Sequence, residues 1–164
     1  MESYPFRGRA ILRPVTPFVT AGAGFLVAVL WFDLMFDVQV LPHRHGEIPA
    51  SVLASIAAYY GRVTTAARPM NRLIAAVMLG MLAAIVVQLT ASDTPVVVGV
   101  VSLLLAAGPI GLAALHTVPS AVRLGTEADP PAAQARLARS IGRDHLLCLA
   151  GITALLGLQL AAGS

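Results

Sequence analysis

Apolar residues dominate four long runs of the chain, and more polar segments separate these runs. A membrane-spanning α-helix needs about 20 predominantly apolar residues, and each run is about that long. Two runs begin with threonine followed by proline, at Thr16-Pro17 and Thr94-Pro95, which is typical of a helix start. The pattern therefore predicts four membrane-spanning helices, at about residues 17–41, 69–90, 95–117 and 143–162.

The segments between the runs differ in length, and the longer ones carry helical patterns of their own. Only ASDT separates the second run from the third, which predicts a tight turn. From Ile48 to Val63 the apolar residues recur at helical spacing, which predicts an amphipathic helix at the membrane surface. A second short helix is predicted from Asp129-Pro130 to Ile141, and the Gly108-Pro109 pair is expected to kink the third span. We expect one all-α domain, an integral membrane four-helix bundle with short amphipathic surface helices.

Four crossings place both chain termini at one end of the bundle, called side A, and the two longer connections at the other end, called side B. All four histidines fall at side B. Side B also holds eight arginines and side A holds three: 44, 62, 68, 72, 123, 136, 139 and 143 against 7, 9 and 13. By the positive-inside rule the larger number favours a cytoplasmic side B. The three arginines just before the first span favour a cytoplasmic N-terminus instead, so the orientation stays open.

Composition supports a membrane protein and argues against nucleic-acid binding. Of the 164 residues, 57 % are hydrophobic and 12 % are charged, whereas about 25 % are charged in a soluble domain. The basic residues are all arginines, and they flank the apolar runs without forming a basic stripe with interleaved aromatics. The lone Cys148 is interpreted as a small buried hydrophobic residue. We expect a multi-pass protein in contact with the lipid bilayer, in a bacterial cell membrane, and no nucleic-acid partner.

The segment WFDLMFDVQVLPHRHGE, from Trp31 to Glu47, ends the first span and carries two carboxylates in an apolar setting. Asp33 and Asp37 are one helical turn apart and project from the same face. A carboxylate at the middle of a bilayer costs about 2.5–3.5 kcal/mol on insertion scales, and less near the edge. Two adjacent carboxylates also repel each other. We therefore expect a compensating partner, which is a metal ion, an arginine or a shared proton.

Histidines reach the same end of the bundle from other segments. A helix bundle can assemble a metal site from facing helices in this way, and imidazole with carboxylate suits copper or iron, with manganese or zinc as less favoured choices. The predicted metal ligands are Asp33, Asp37, His116 and His145, with His43 and His45 as further candidates. Asp33, Asp37 and His145 are also the predicted catalytic residues. Two alternatives remain open, namely a structural ion-pair network with Arg72, Arg123 or Arg143, and a proton or ion pathway.

The chain resembles the anthrone-oxygenase-like family of small four-span membrane proteins. The similarity is carried by the glycine-containing first span AGAGFLVAVLWFDLMF, the proline-led second span ARPMNRLIAAVMLG, the ending HTVPSAVRL of the third span and the start RDHLLCLAGI of the fourth. Only His145 and the segment His116–Pro119 have counterparts among the family's motifs, and the family's tryptophan before the fourth-span histidine is absent. The resemblance implies the four-span architecture and an oxidation of an aromatic anthrone to a quinone by dioxygen.

These observations together lead to one expected function and two alternatives. The expected function is a membrane oxidoreductase or oxygenase that acts on a flat lipophilic molecule, with or without a redox metal. Its substrate pocket is expected to be lined by Trp31, Phe32, Met35 and Phe36, while Tyr59 and Tyr60 are interpreted as interfacial aromatics. The first alternative is a non-catalytic subunit of a membrane complex or a homo-oligomer, packed through small residues of the third span: Gly99, Ser102, Gly108 and Gly111. The second is a metal or proton transporter, which the apolar side-A half disfavours.

Overall fold

The computed structural model describes residues 15–43, 46–91 and 94–163, and the regular elements in these ranges are all helical. Two of the helices are extended without a break, one by a 3₁₀ turn at Val38–His43 and one by a π-helical segment at Ala113–Thr117. The α-helices are α1 (Val15–Asp37), α2 (Ala50–Thr65), α3 (Arg68–Ala91), α4 (Val96–Leu112), α5 (Val118–Gly125) and α6 (Pro131–Gly163). Within these ranges four helical segments are long and apolar enough to cross a membrane, which confirms the predicted fold class and a multi-pass membrane protein.

Prolines mark several of the helix boundaries that the sequence predicts. Pro49 precedes α2 and Pro95 precedes α4, where the missing N–H is no loss because the first helical N–H groups have no partner within the helix. Pro42 lies within the 3₁₀ turn that follows α1. Pro109 lies inside α4, and the π-helical segment begins one turn after it. A proline removes one backbone hydrogen bond, and a π-helical segment is a common way for a helix to continue past such a disturbance.

Two predicted boundaries were wrong. The short helix expected at 129–141 and the fourth span form one helix, α6, because between them only Gly142 disfavours helix and a single glycine is tolerated. The third span was expected to end near residue 117, yet the π-helical segment leads directly into α5, and the helical path ends at Gly125. At side B, the third and fourth spans therefore extend beyond the apolar runs that predicted them.

The four long helices form a ring in which each neighbour in sequence is also a neighbour in space. Helix α1 packs against α3 and α6, and α4 packs against α3 and α6. The middle of the bundle is filled by an apolar layer: Val19, Ala23, Leu26, Met81, Ile85, Ala106, Ile152 and Leu155. This layer separates two polar regions at the two ends of the bundle.

Side A contains a small hydrogen-bonded group built from residues of all four spans. The side-chain amides of Gln88 and Gln159 pair reciprocally, with Nε2-to-Oε1 distances of 3.2 and 3.1 Å. Gln159 Nε2 also donates to Ser102 Oγ at 2.8 Å, and Gln88 Nε2 lies 3.4 Å from Thr16 Oγ1. Thr16 starts α1 whereas Gln88 and Gln159 lie near the ends of α3 and α6. The start of the first span and the end of the last therefore meet at one end of the bundle, as predicted.

Side B is closed by the surface helix α2, which lies on α5 and on the first turns of α6. The buried residues of this region form a second apolar cluster: Val40, Ile48, Leu53, Ile56, Ala57, Tyr60, Ala121, Leu124, Ala135, Ala138 and Ile141. Helices α2 and α5 approach closely where Gly61 faces Gly125, and a Cβ added at Gly125 would lie 2.6 Å from the Gly61 nitrogen. Helix α2 is thus fixed above the polar end of α1.

Candidate functional site

The two carboxylates of the first span are each held by a tyrosine of α2. Tyr59 Oη donates to Asp33 Oδ1 at 2.6 Å, and Tyr60 Oη donates to Asp37 Oδ1 at 2.6 Å. Adjacent residues of α2 therefore match two residues of α1 that are one turn apart. The second oxygen of each carboxylate is left for another partner.

His145 of α6 lies between these second oxygens. Its Nδ1 is 2.6 Å from Asp37 Oδ2, a hydrogen-bonding distance, whereas its Nε2 is 3.9 Å from Asp33 Oδ2. An ionised carboxylate only accepts hydrogen bonds, so Nδ1 carries the proton and a neutral imidazole keeps its acceptor lone pair on Nε2. The bond to Asp37 thus fixes both the tautomer and the orientation of the ring.

These five residues, Asp33, Asp37, Tyr59, Tyr60 and His145, are called the side-B cluster below. They differ in exposure: the Asp37 side chain is 2 % exposed, that of His145 is 10 % and that of Asp33 is 20 %. The Asp37–His145 contact is therefore interior, and Asp33 is the more exposed of the two carboxylates. A molecule that reaches the cluster from the surface therefore contacts Asp33 before Asp37.

Tyr59 and Tyr60 remain protonated, and so remain hydrogen-bond donors, over a wide pH range. Burial and the neighbouring carboxylates, Asp33 for Tyr59 and Asp37 for Tyr60, raise the pKa of both phenols above the usual value of 10. A phenolate beside a carboxylate would repel it, which is why the protonated form is favoured. Asp33 and Asp37 therefore keep a neutral donor at every physiological pH.

His116 and Asp144 form a second polar contact next to the cluster. His116 Nδ1 lies 2.6 Å from Asp144 Oδ2, and Thr117 Oγ1 donates to the same oxygen at 3.2 Å. Asp144 is 1 % exposed, whereas the His116 side chain is 48 % exposed. His116 lies at side B, as predicted, but it contacts Asp144 rather than the carboxylates of the first span. The other oxygen of Asp144, Oδ1, lies 3.7 Å from Arg143 Nη2.

The predicted metal ligands are thus only partly brought together. Asp33, Asp37 and His145 meet; His43 lies at the end of the 3₁₀ turn, where its carbonyl accepts a hydrogen bond from Arg139; and His45 lies outside the described residues. Among the residues that the structure describes, no group of three or more His, Cys, Asp or Glu side chains is arranged to hold a metal ion. Two donor atoms, Asp33 Oδ2 and His145 Nε2, lie 3.9 Å apart, whereas protein metal sites ordinarily supply three or four.

The alternative partners, the arginines, are engaged elsewhere or exposed. Arg123 makes a bidentate contact with Asp129, with both N-to-O distances at 2.7 Å, and this contact lowers the pKa of the Asp129 carboxyl. Arg143 is exposed and lies near Asp144, and Arg72 is exposed on α3. In the described part of the chain, Asp33 and Asp37 are compensated by two phenols and one imidazole.

The predicted aromatic wall divides into two parts. Phe36 stacks on Tyr59, with ring centroids 3.9 Å apart and an angle of 11° between the planes. Trp31, Phe32 and Met35 are each more than half exposed on the outer surface of α1, where lipid would surround them. Phe36 therefore belongs to the surroundings of the side-B cluster, and the other three form its lipid-facing approach.

Sequence reasoning placed Tyr59 and Tyr60 at the membrane interface and missed their contacts with the carboxylates. A signal was available, since both lie on the apolar stripe of α2 and a buried tyrosine hydroxyl requires a hydrogen-bond partner. Asp33 and Asp37 are the only carboxylates of the first span, and they also require partners. The two tyrosine hydroxyls could therefore have been predicted to bond to them.

Comparison of the chain with protein-family models, with curated proteins and with solved structures finds no match.

Proposed function

We propose that this protein is a membrane oxidoreductase in which His145, oriented by Asp37, acts as a general base on a lipophilic aromatic substrate. The observation that supports this proposal is the arrangement of His145 between two carboxylates, with Nδ1 bonded to Asp37 and Nε2 facing Asp33. A carboxylate bonded to one imidazole nitrogen stabilises the imidazolium that forms when the other nitrogen takes a proton. A general base of this kind contributes about 10²–10⁴-fold to a rate.

The chemistry follows from the resemblance to anthrone oxygenases and from the atoms available. Nε2 removes a proton from the activated CH₂ of an anthrone-like ring system, which leaves an electron-rich carbanion or phenolate that reacts with dioxygen. The balanced reaction is R₂CH₂ + O₂ → R₂C=O + H₂O. Asp33, held by Tyr59, accepts a hydrogen bond from a substrate hydroxyl or from the newly protonated Nε2.

The surroundings of the cluster suit a flat apolar substrate that arrives from the bilayer. Asp33 is the most exposed charged member of the cluster, and Phe36 lies beside it against Tyr59. Trp31, Phe32 and Met35 continue the outer surface of the same helix toward the middle of the membrane. A substrate dissolved in lipid would therefore reach Asp33 along an aromatic and thioether surface.

The two alternative functions receive less support. A proton or metal pathway would have to cross the apolar layer that separates the side-B cluster from Gln88 and Gln159. The small residues of the third span do not share a face: Gly99 packs against Leu89 and Ser102 is buried, whereas added Cβ atoms at Gly108 and Gly111 would meet open space. A continuous small-residue surface for a partner helix is therefore lacking in α4.

The proposal is tested with anthrone as the probe and the purified protein reconstituted in lipid vesicles. We expect the appearance of the quinone in the visible spectrum, with one dioxygen consumed per quinone formed. His145→Gln and Asp37→Asn should each lower kcat about 100-fold or more, because the first removes the base and the second its orienting carboxylate. His116→Gln is the matched control, since this imidazole contacts Asp144 outside the cluster.

Equal losses in His145→Gln and His116→Gln, with both variants folded by circular dichroism, would contradict the assigned base. Elemental analysis of the wild-type protein addresses the predicted metal at the same time. Near-stoichiometric copper, iron, manganese or zinc that disappears in Asp33→Asn would assign Asp33 as a ligand of that metal. A metal content far below one ion per chain would indicate that His145 acts as a base without a metal.

A further inference from the structure

A groove of about 330 Å³ opens at side B between the end of the first span and α6. Its floor and walls are mostly apolar, and two arginines of α6 stand at its edge. The lining residues used below are Leu34, Val38, Leu41, Arg139, Arg143 and Leu146. The groove lies within two membrane-spanning segments, so lipid is the medium that reaches its apolar side.

The charge of Arg139 has no carboxylate partner in the described part of the chain. Its Nη2 donates to the backbone carbonyls of His43 and Gly46, while its Nε is buried and lacks a hydrogen-bond partner among the described residues. Backbone carbonyls fix the guanidinium in place but neutralise none of its positive charge. A fixed, uncompensated guanidinium at a membrane edge favours an anion.

Arg143 lies one helical turn after Arg139, on the same face of α6. Its side chain is 71 % exposed, and its contact with Asp144 is long, at 3.7 Å. Asp144 already accepts hydrogen bonds through its other oxygen from His116 and Thr117. Both arginines line the groove, and the only carboxylate contact of the pair with described residues is that of Arg143 with Asp144.

The groove also contains a carboxylate, Asp37, but this group is not presented to a ligand. Asp37 is 3 % exposed, and its two oxygens accept from Tyr60 and His145. Gly142 covers it closely, since a Cβ added there would lie 3.3 Å from the Asp37 Cβ. The accessible charge at the groove is therefore positive.

We propose that this groove binds the headgroup phosphate of an anionic phospholipid between Arg139 and Arg143. The acyl chains lie against the outward apolar residues that flank it, since Val38, Leu41 and Leu146 are 46, 40 and 48 % exposed. Basic pockets between membrane helices are known to recognise anionic headgroups in this way. A lipid fits better than a soluble phosphate, because only a lipid covers the apolar walls as well as the two guanidinium groups.

The single tryptophan of the chain, Trp31, makes the proposal measurable. Trp31 is 62 % exposed on α1 and lies one turn before Leu34, toward the middle of the membrane. The full-length protein is reconstituted in vesicles containing small amounts of phosphatidylglycerol or phosphatidylcholine with brominated acyl chains, and the quenching of Trp31 fluorescence is compared. We expect quenching at about tenfold lower mole fraction of the brominated anionic lipid.

Arg139→Gln and Arg143→Gln should each reduce this preference about fivefold. Arg62→Gln on α2 is the matched control, because it removes the same charge from the same end of the protein but does not line the groove, and it should leave the preference intact. Arg143 makes only the 3.7 Å contact with Asp144 among the described residues, so its variant reports binding even if Arg139→Gln disturbs the fold. Arg139→Lys, which keeps the charge, should retain most of the preference.

Two results would overturn the proposal. Equal quenching by the two brominated lipids, or an equal loss in Arg62→Gln, would mean that the groove does not select a headgroup. Abolition of the preference by millimolar inorganic phosphate at constant ionic strength would assign the arginines to a soluble anion instead of a lipid.

Discussion

Asp37 depends strongly on its neighbours, because its carboxylate is nearly inaccessible and lies in a membrane-spanning segment. Water is not available to replace a lost hydrogen bond there, so removal of one donor leaves the group partly unsatisfied. Asp33 is in a different position, because its side chain is 20 % exposed. The two carboxylates therefore respond differently when their tyrosines are changed, although the two Oη-to-Oδ1 distances are equal.

Tyr60→Phe is expected to lower the free energy of unfolding by about 1–3 kcal/mol, since a buried carboxylate loses a donor. Tyr59→Phe, the adjacent residue with the same bond to a more exposed carboxylate, should cost less than about 1 kcal/mol. Reversible unfolding in mixed detergent micelles, followed by far-ultraviolet circular dichroism, measures both values. Equal losses in the two variants would mean that burial of Asp37 does not determine the cost.

At the scale of elements, α2 is positioned by close contact of its backbone with α5. Gly61 and Gly125 face each other, and a methyl group at Gly125 would come within 2.6 Å of the Gly61 nitrogen and 2.8 Å of its Cα. Backbone atoms cannot move aside as a flexible side chain can. This contact holds α2 where its two tyrosines reach α1.

Gly125→Ala is therefore expected to destabilise the protein by about 1–3 kcal/mol through overpacking and to loosen α2. Gly80→Ala in α3 is the control, because a Cβ there meets no atom within 4 Å, and it should be neutral or stabilising by up to about 1 kcal/mol. Chemical unfolding and hydrogen exchange of the α2 amides measure the two effects. Unchanged protection of α2 in a folded Gly125→Ala protein would show that other contacts position this helix.

The elements were largely predictable from the sequence, and the boundaries that failed have physical reasons. Apolar residues and their periodicity located the four spans and α2, because a helix that lies in lipid or packs against the bundle needs apolar residues at those positions. The continuity of α6 was missed because charged residues at its start suggested a separate surface helix, although nothing in Pro131–Gly163 stops a helix. The path from α4 to α5 was missed because the apolar run ends near residue 117. Pro119, just beyond it, does not stop the helix, since it occupies the first turn of α5, where proline is tolerated.

An apolar middle layer separates two polar ends of the molecule. The four crossings predicted the polar side B, whereas the side-A half was expected to be apolar. The four-span topology alone predicted that Asp33, Asp37 and His145 lie at the same end of the bundle, although no local sequence motif connects them. The partner of each side chain could not be derived, because rotation of a helix by one residue moves a side chain by about 100°. His116 was therefore predicted at the correct end of the bundle, yet it contacts Asp144.

The two-ended topology predicts a specific labelling pattern. In a Cys148→Ser background, cysteines introduced at Gly46 and Ala128 should react with a membrane-impermeant maleimide from one side of a sealed vesicle. A cysteine at Thr94 should react only from the other side, since it lies in the turn between α3 and α4. Labelling of positions 46 and 128 from opposite sides would contradict the antiparallel arrangement on which the side-B cluster depends.

The reciprocal amide pair at side A also imposes an order on the assembly of the protein. Gln88 and Gln159 are 71 positions apart, so Gln88 enters the membrane well before its amide partner has been synthesised. During this interval the first three spans are inserted but lack the contact that joins α3 to the last helix. A ribosome that stops before Gln159 therefore releases a chain with an incompletely paired amide in lipid, a feature by which membrane quality control could distinguish a truncated chain from a finished one.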